Sequence, residues 1–150
     1  MITSLLKNGN FECRNIHFEC FKSVSIDSRN IPDDSIFCAL KGDHTDGHRF
    51  IASAIRNGAK AALVSRQEIS GDHLNYPLII AEDSLKGLQE MARLHLAHLQ
   101  TPVFALTGSV GKTSTRRLLH HVLSRSMTVF QSQKNFNNHI GLPLSILDIR

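Results

Sequence analysis

Short apolar runs separated by polar or turn-forming segments predict a sheet of buried strands in the first half of the chain. Residues 36–40, 61–64 and 78–81 are such runs, each with the length and composition of a strand covered on both faces. Between the first two, residues 49–57 repeat apolar side chains at the spacing of one helical face, and Gly58 follows as a C-terminal stop. Strand, helix and strand in this order predict a right-handed βαβ crossover and a mostly parallel sheet. Residues 1–24 predict a short helix and then a strand over 18–24.

A long amphipathic helix comes next, with Asp83 or Ser84 as its candidate N-cap. Its apolar side chains recur every three or four residues, at Leu85, Leu88, Ala92, Leu96 and Leu99. Residues 101–102 are expected to end it. Beyond them the pattern predicts a buried strand over 103–106, a helix over 112–125, a strand over 128–130 and an apolar segment over 141–149. The second helix is expected to bury Leu118, Leu119, Val122 and Leu123.

The turn between the predicted strand 103–106 and the helix after it has the composition of a phosphate-binding P-loop. Its glycines let backbone N–H groups approach phosphate oxygens, and the helix N-terminus adds partial positive charge. Lys112 is expected to reach the β- and γ-phosphates as the catalytic lysine, and the Thr113 hydroxyl to take one Mg²⁺ position. The predicted ATP-binding residues are Thr107, Gly108, Ser109, Val110, Gly111, Lys112, Thr113 and Ser114. Leu106 stands where the general pattern has its first glycine, and a strand–turn–helix with incidental glycines is the alternative.

The composition limits the classes of molecule that the chain is expected to bind. The 150 residues are 41% hydrophobic, which is enough for a globular core, and 17 Lys+Arg against 13 Asp+Glu give a net charge of +4. Without Trp, and with basic residues not interleaved with aromatics, the chain is not expected to bind nucleic acid. The surplus charge suits an anionic small substrate or ordinary solvation. No stretch predicts a secretion signal or a membrane span, so a cytoplasmic protein is expected.

The three cysteines and nine histidines predict neither a disulfide framework nor a metal site. The thiols are expected to be free and reduced. His44, His48 and His139 are interpreted as polar loop residues and not as bases. The sequence carries no signal for an oligomeric state.

A boundary near residues 82–83 is predicted, which divides the chain into units 1–82 and 83–150. A complete P-loop domain buries its parallel sheet between helices and needs about five strands and well over 100 residues. The second unit is shorter than that, and no later strand end offers a carboxylate for Mg²⁺. We therefore expect the incomplete start of such a domain, with exposed strand edges and apolar helix faces that favour aggregation or a stabilising partner.

Four stretches together resemble the Mur ligases, the ATP-dependent enzymes that build the peptide of the bacterial cell-wall precursor. They are DSR at 27–29, FCALKG at 37–42 with DGHRFI at 46–51, TGSVGKT at 107–113 and NFNNHIGLPL at 135–144. A P-loop without its first glycine is the form this family uses. The last stretch is most similar to the member that adds D-alanyl-D-alanine to UDP-N-acetylmuramoyl-tripeptide. The member that adds the third amino acid is the alternative.

The resemblance implies a UDP-precursor-binding α/β domain followed by the beginning of the central ATPase domain. ATP would phosphorylate the tripeptide carboxylate, and the amine of D-Ala-D-Ala would then attack the acyl phosphate. The substrate-binding residues implied are Ser28, Arg29, Lys41, Gly42, Asp46, Gly47, His48, Asn137 and Asn138. ATP and Mg²⁺ are the implied cofactors. A chain of these 150 residues alone is not expected to turn over.

Each motif also has a simpler interpretation. Residues 27–29 could be a helix cap with an exposed ion pair, Asp46–Gly47 an ordinary turn, and Asn137–Asn138 loop residues in the left-handed conformation. For the whole chain, the alternatives are a non-catalytic nucleotide-binding remnant or subunit and an unrelated P-loop phosphotransferase.

Overall fold

The computed structural model describes residues 3–133 and 136–150, and its centre is a mixed five-stranded sheet. The strands are β1 (Glu12–Arg14), β2 (Ser23–Ser25), β3 (Ser35–Cys38), β4 (Ala61–Ser65) and β5 (Leu78–Ala81). Their order is β1-β5-β4-β3-β2, with β1 antiparallel to β5 and all other pairs parallel. The predicted α/β class and mostly parallel sheet are confirmed. Asn135, the first residue of the fourth motif, lies outside the described residues.

Five α-helices accompany the sheet within the described residues. They are α1 (Thr3–Asn8), α2 (Ile51–Arg56), α3 (Ser84–Leu99), α4 (Lys112–Leu123) and α5 (Gly141–Leu147). Two residues that were predicted to delimit helices, Asp83 and Gly58, do so. The Asp83 carboxylate caps α3 by accepting from the Lys86 N–H at 2.8 Å, and Gly58 follows α2 with a φ of +106°.

Strand β4 lies in the middle of the sheet, and all five of its residues are buried. Ile36, Cys38 and Leu63 face one side, where α3 and α5 cover them, while Phe37 and Val64 face the side of α2. Burial on both faces is the reason that these strands appear in the sequence as continuous apolar runs.

Helix α3 packs against β4, β5 and α5. Its buried residues are Ser84, Gly87, Leu88, Met91, Ala92 and His95, so Leu88 and Ala92 are confirmed, whereas the predicted Leu85, Leu96 and Leu99 are only partly buried. Gly87 allows the close approach, because a Cβ atom there would lie 2.8 Å from the Ala81 Cβ. The helix assigned to the second unit thus shares a core with the first unit's sheet. The division at residue 82 stays a prediction.

The two strands predicted around the glycine-rich turn, 103–106 and 128–130, are wrong for this structure. Neither segment pairs with another strand among the described residues, and without a neighbouring ladder the backbone does not form a strand. Val103 and Phe104 are 60% and 70% exposed. The expected strand 18–24 is reduced to β2, and the antiparallel edge strand β1 was not predicted.

Helix α4 has nearly its predicted limits, but the prediction of its buried side chains is wrong. It has no buried residue, and Leu118 and Val122 are 63% and 52% exposed. An amphipathic pattern indicates which face could be buried, whereas burial itself needs a sheet beneath that face. The predicted exposure of apolar helix faces in this unit is confirmed. In the part of the chain that the structure describes, no helix is long and apolar enough to cross a membrane.

Candidate functional site

A cleft of about 710 Å³ lies at the carboxyl ends of β3, β4 and β5. Its lining residues are Leu40, Lys41, Gly42, Asp43, Ser65, Gln67, Glu68, Glu82, Asp83, Ser84, Leu85, Lys86, His139 and Ile140. The carboxyl edge of a parallel sheet is the usual place for ligands in open α/β folds. The cleft joins the predicted Lys41–Gly42 loop to the segment at 139–140, which is about 100 residues later in the chain.

A chain of buried hydroxyl groups holds the three strand ends together under this cleft. The Ser84 Oγ donates to the Ala39 carbonyl at 2.6 Å, and the Ser65 Oγ donates to the Ser84 Oγ at 3.1 Å. The Ser84 N–H also donates to the Ser65 Oγ at 2.9 Å. The motifs did not include these serines. Ser65 lies directly after the apolar run 61–64, and this position is the signal that could have identified it.

The loop over the cleft is anchored through the His48 ring, which is 2% exposed and therefore not a polar loop residue as predicted. Its Nε2 accepts from the Ser65 N–H at 3.0 Å, and its Nδ1 lies 2.7 Å from Asp46 Oδ1. A ring nitrogen that accepts carries no proton, so these partners select the neutral tautomer with hydrogen on Nδ1. Partial burial raises the pKa of Asp46, but the hydrogen bonds from His48 outweigh this effect, so the pKa is lowered.

Gly47 is needed for the same anchor. Its N–H donates to the Leu40 carbonyl at 2.8 Å, and a Cβ atom there would lie 2.7 Å from that oxygen. Asp46–Gly47–His48 is therefore a turn with a specific structural function, and its contact with substrate stays a prediction.

Lys41 and Gly42 lie at the mouth of the cleft. The Lys41 Nζ is 2.5 Å from the Glu68 Oε1, and this hydrogen bond raises the pKa of Lys41. The Gly42 N–H donates to the Thr45 carbonyl at 2.9 Å, which closes the loop between them. Glu68 belongs to a short 3₁₀ turn, Arg66–Glu68, that follows β4 directly. No motif pointed to it, because the fold alone brings it to Lys41.

Asp27, Ser28 and Arg29 form a turn that does not line the cleft. The Arg29 guanidinium is 86% exposed and holds both carboxylate oxygens of Asp27 at 2.9 Å, so its hydrogen bonds lower the pKa of Asp27 to about 2. Ser28 is buried, and its carbonyl accepts from the Asn57 side chain at 2.8 Å. The exposed ion pair of the simpler interpretation is present, whereas the helix cap is not.

The glycine-rich loop is exposed throughout and leads directly into α4. Gly108 and Gly111 have φ values of +138° and +84°, so both positions need the conformational freedom of glycine. Lys112 is the first residue of the helix, and its ammonium group donates back to the Gly108 carbonyl. The loop therefore has the turn that the motif predicted, although its preceding strand is not formed.

Asn138 caps the start of α5 with its side chain. Its Oδ1 accepts from the N–H groups of Ile140 and Gly141 at 3.1 and 2.7 Å. Neither Asn137 nor Asn138 has a positive φ, so the left-handed interpretation is wrong. Gly141 allows the chain to turn back on itself, since a Cβ there would lie 2.5 Å from the Phe136 Cα.

No group of three or more His, Cys, Asp or Glu residues in the described ranges is arranged to hold a metal ion. The Thr113 hydroxyl, exposed in the first turn of α4, is a hard oxygen ligand of the kind Mg²⁺ takes beside phosphate oxygens. It fits one position of such an ion.

An α/β sheet with a cleft at its carboxyl edge, followed by a glycine-rich turn at a helix N-terminus, is typical of proteins that bind nucleotides. The Mur ligase family, catalytic domain, matches residues 21–98, and the Mur ligase middle domain matches residues 106–150. The chain belongs to the Mur ligase family.

Individual relatives are similar over nearly all of this chain. UDP-N-acetylmuramoyl-tripeptide--D-alanyl-D-alanine ligase of Bacillus subtilis is 37% identical over 98% of the chain, and that of Escherichia coli is 33% identical over 97%. A crystal structure of MurF from Acinetobacter baumannii aligns with 99% of the chain at a TM-score of 0.82 and 28% identity. MurF ligase from Thermotoga maritima, solved in complex with ADP, aligns with 85% at a TM-score of 0.72 and 35% identity. The chain spans only 29–33% of the length of these four proteins.

Proposed function

We propose that this chain is the precursor-binding part and phosphate loop of an ATP-dependent ligase that adds D-Ala-D-Ala to UDP-N-acetylmuramoyl-tripeptide. In that reaction the tripeptide carboxylate takes the γ-phosphoryl group of ATP and ADP is released. The amine of D-Ala-D-Ala then attacks the acyl phosphate, and phosphate leaves as the amide forms. The nucleotide substrates imply a cytoplasmic location.

The observation that carries the proposal is the meeting of two separate motifs in one cleft. The loop that begins at Lys41–Gly42 and the segment that contains His139 line the same 710 Å³ space at the sheet's carboxyl edge. The names of the relatives support the same substrate, and the ADP complex of the Thermotoga maritima protein supports nucleotide use.

In this proposal residues 1–82 bind the UDP end of the precursor and residues 83–150 begin the ATP-binding domain. The ammonium group of Lys41 is offered to the diphosphate, Gly42 and Gly47 form the turns of its loop, and Asp46 and His48 hold that loop in place. Ser28 and Arg29 contact the uridine end from outside the cleft, and Asn137 and Asn138 lie near the reacting end. Such contacts contribute by positioning the carboxylate.

The glycine-rich loop supplies the charge compensation that phosphoryl transfer requires. The ammonium group of Lys112 exchanges the Gly108 carbonyl for phosphate oxygens, and backbone amides of residues 107–111 donate to the same group. Thr113 would hold Mg²⁺, which neutralises phosphate charge when bound.

Titration calorimetry with UDP-N-acetylmuramoyl-tripeptide, and then with Mg·ATP, tests the proposal. Precursor binding should be lost in Arg29→Ala, whose exposed side chain can be removed without disturbing the core. ATP binding, where it occurs, should be lost in Lys112→Ala and not in Arg29→Ala. ATP binding that depends on Lys112, without any precursor binding, would contradict the ligase and favour a generic nucleotide-binding protein.

A further inference from the structure

We propose that Glu68 sets the affinity of the cleft for the diphosphate by competing with it for Lys41. The inference rests on the proposed function, because it assumes that a nucleoside diphosphate is the ligand at this edge of the sheet. It assigns a function to a residue that belongs to none of the four motifs.

The geometry puts the lysine under the control of one carboxylate. The Lys41 Nζ lies 2.5 Å from the Glu68 Oε1, and the lysine side chain remains 62% exposed while the glutamate is 27% exposed. The ammonium group is therefore accessible to an incoming anion, but an anion must replace or share its present partner. An oxygen of a diphosphate and an oxygen of Glu68 are equivalent acceptors for that group.

Both partners are held in place by the same strand end. Glu68 follows β4 within one 3₁₀ turn, and the loop that carries Lys41 is tied to Ser65 of β4 through His48. The backbones of Lys41 and Asp46 form a bridge across that loop. The ion pair is thus built into the rim of the cleft by backbone anchors on each side.

The charge of the cleft increases the effect of this competition on diphosphate binding. Among the described lining residues, four carboxylates, those of Asp43, Glu68, Glu82 and Asp83, stand against the two ammonium groups of Lys41 and Lys86. A diphosphate entering the cleft meets more negative than positive charge from these residues. Freeing Lys41 from Glu68 changes both the attraction by the lysine and the repulsion by the glutamate.

The test is titration calorimetry of the chain with UDP in wild type, Glu68→Gln, Lys41→Gln and the double variant. Glu68→Gln should bind UDP about three- to tenfold more tightly, which is the range expected when a partly exposed ion pair and its repulsion are both removed. The gain should fall in the Lys41→Gln background to what removing one negative charge gives alone, because Glu68 acts mainly through the lysine. Higher salt should shrink the gain.

Glu82→Gln is the matched control, since it removes one negative charge from the same cleft without touching the ion pair. A gain in Glu82→Gln equal to that in Glu68→Gln, or a gain of Glu68→Gln that is undiminished without Lys41, would overturn the inference in favour of net charge alone. Weaker binding in Glu68→Gln would also overturn it, because Glu68 would then orient Lys41 for the ligand. UDP binding that no variant alters overturns the function of Glu68 and the assignment of Lys41 to the diphosphate, but not the ligase reaction. Absence of UDP binding in all variants contradicts both the inference and the proposed function.

Discussion

At the scale of single residues, His48 shows how a polar side chain acquires a structural function. The sequence places it in a loop motif, but the fold buries it between the Asp46 carboxylate and the Ser65 N–H. One partner accepts a hydrogen bond and the other donates one. Only a neutral imidazole, with one N–H group and one unprotonated nitrogen, satisfies both.

We expect His48→Ala to lower the free energy of unfolding by about 1–3 kcal/mol, because it leaves a buried N–H donor without its acceptor. His48→Gln should recover part of this loss, since its amide oxygen can accept from Ser65. Urea denaturation measures both. His44→Ala, on the exposed part of the same loop, is the control and should change stability little. Equal effects at positions 44 and 48 would contradict the anchoring function.

Asp34 gives a prediction about pH. Its carboxylate oxygens are 2.7 Å from the Nζ atoms of Lys22 and Lys60, and these side-chain hydrogen bonds lower its pKa to about 2. A carboxyl group with a lower pKa in the folded state than in the unfolded state stabilises the fold above about pH 4, its ordinary range. That contribution is lost as the pH falls through 2.

The free energy of unfolding should therefore decrease between pH 4 and pH 2, and the decrease should be smaller in Asp34→Asn. Asparagine suits this position because Asp34 has a φ of +60°, a conformation that asparagine tolerates. Asp33→Asn is the matched control next to it. If Asp33→Asn flattens the pH profile as much as Asp34→Asn, the two ion pairs do not cause the effect.

At the scale of elements, the contact of α3 with β5 depends on the absence of a side chain at position 87. A Cβ atom there would lie 2.8 Å from the Ala81 Cβ and 3.2 Å from the Leu63 Cδ1. Both of these atoms belong to buried residues of the sheet, which have little space to move away.

Gly87→Ala should destabilise the protein by about 1–3 kcal/mol through overpacking. This sign is opposite to intrinsic helix propensity, which favours alanine by about 1 kcal/mol. Thermal or urea unfolding gives the value. The double variant Gly87→Ala/Ala81→Gly should recover stability relative to the single one, and failure of this rescue would place the strain elsewhere in the contact.

The elements that the sequence predicted well are those whose pattern comes from burial on both faces or from local capping. The runs at 61–64 and 78–81 became β4 and β5, and Asp83 and Gly58 delimit their helices as expected. The wrong elements, 103–106 and 128–130, have apolar runs of the same kind but no neighbouring strand to pair with. Periodicity reports what a segment could bury, and pairing depends on other segments.

The same distinction applies to the candidate site. The family resemblance pointed to Lys41 and Gly42, and the spacing of the P-loop motif pointed to the glycine-rich loop, because phosphate loops need particular residue types at fixed spacing. They did not identify Glu68, Ser65 or Ser84. These residues come to the cleft through the parallel register of β3, β4 and β5, which no local spacing encodes.

At the scale of the whole molecule, residues 101–130 differ from the rest in how much apolar surface they expose. Large apolar side chains in this region remain exposed at Val103, Phe104, Leu106, Val110, Leu118, Val122, Met127 and Phe130. Contiguous apolar surface on a soluble protein favours association.

We expect the chain to bind a hydrophobic dye such as anilinonaphthalene sulfonate and to self-associate as its concentration rises. Leu118→Lys/Val122→Lys should reduce both, as measured by dye fluorescence and by light scattering. The unfolding midpoint should change little, because α4 has no buried residue. Ala97→Lys, at an exposed position of α3, adds a similar charge outside this region as a control. Dye binding that is unchanged in the double variant would show that the dye binds apolar surface other than that of Leu118 and Val122.

The packing of α5 on β2 has a consequence for synthesis on the ribosome. Leu144 and Leu147 complete the cluster that holds Phe21 and Val24, although more than 100 residues separate the two elements. At about 5–20 residues per second, the early strand is translated on the order of ten seconds before its covering helix exists. During that interval the apolar face of β2 is accessible to chaperones and proteases. The rate of translation elongation therefore helps to determine the fraction of newly made chains that folds before it is degraded.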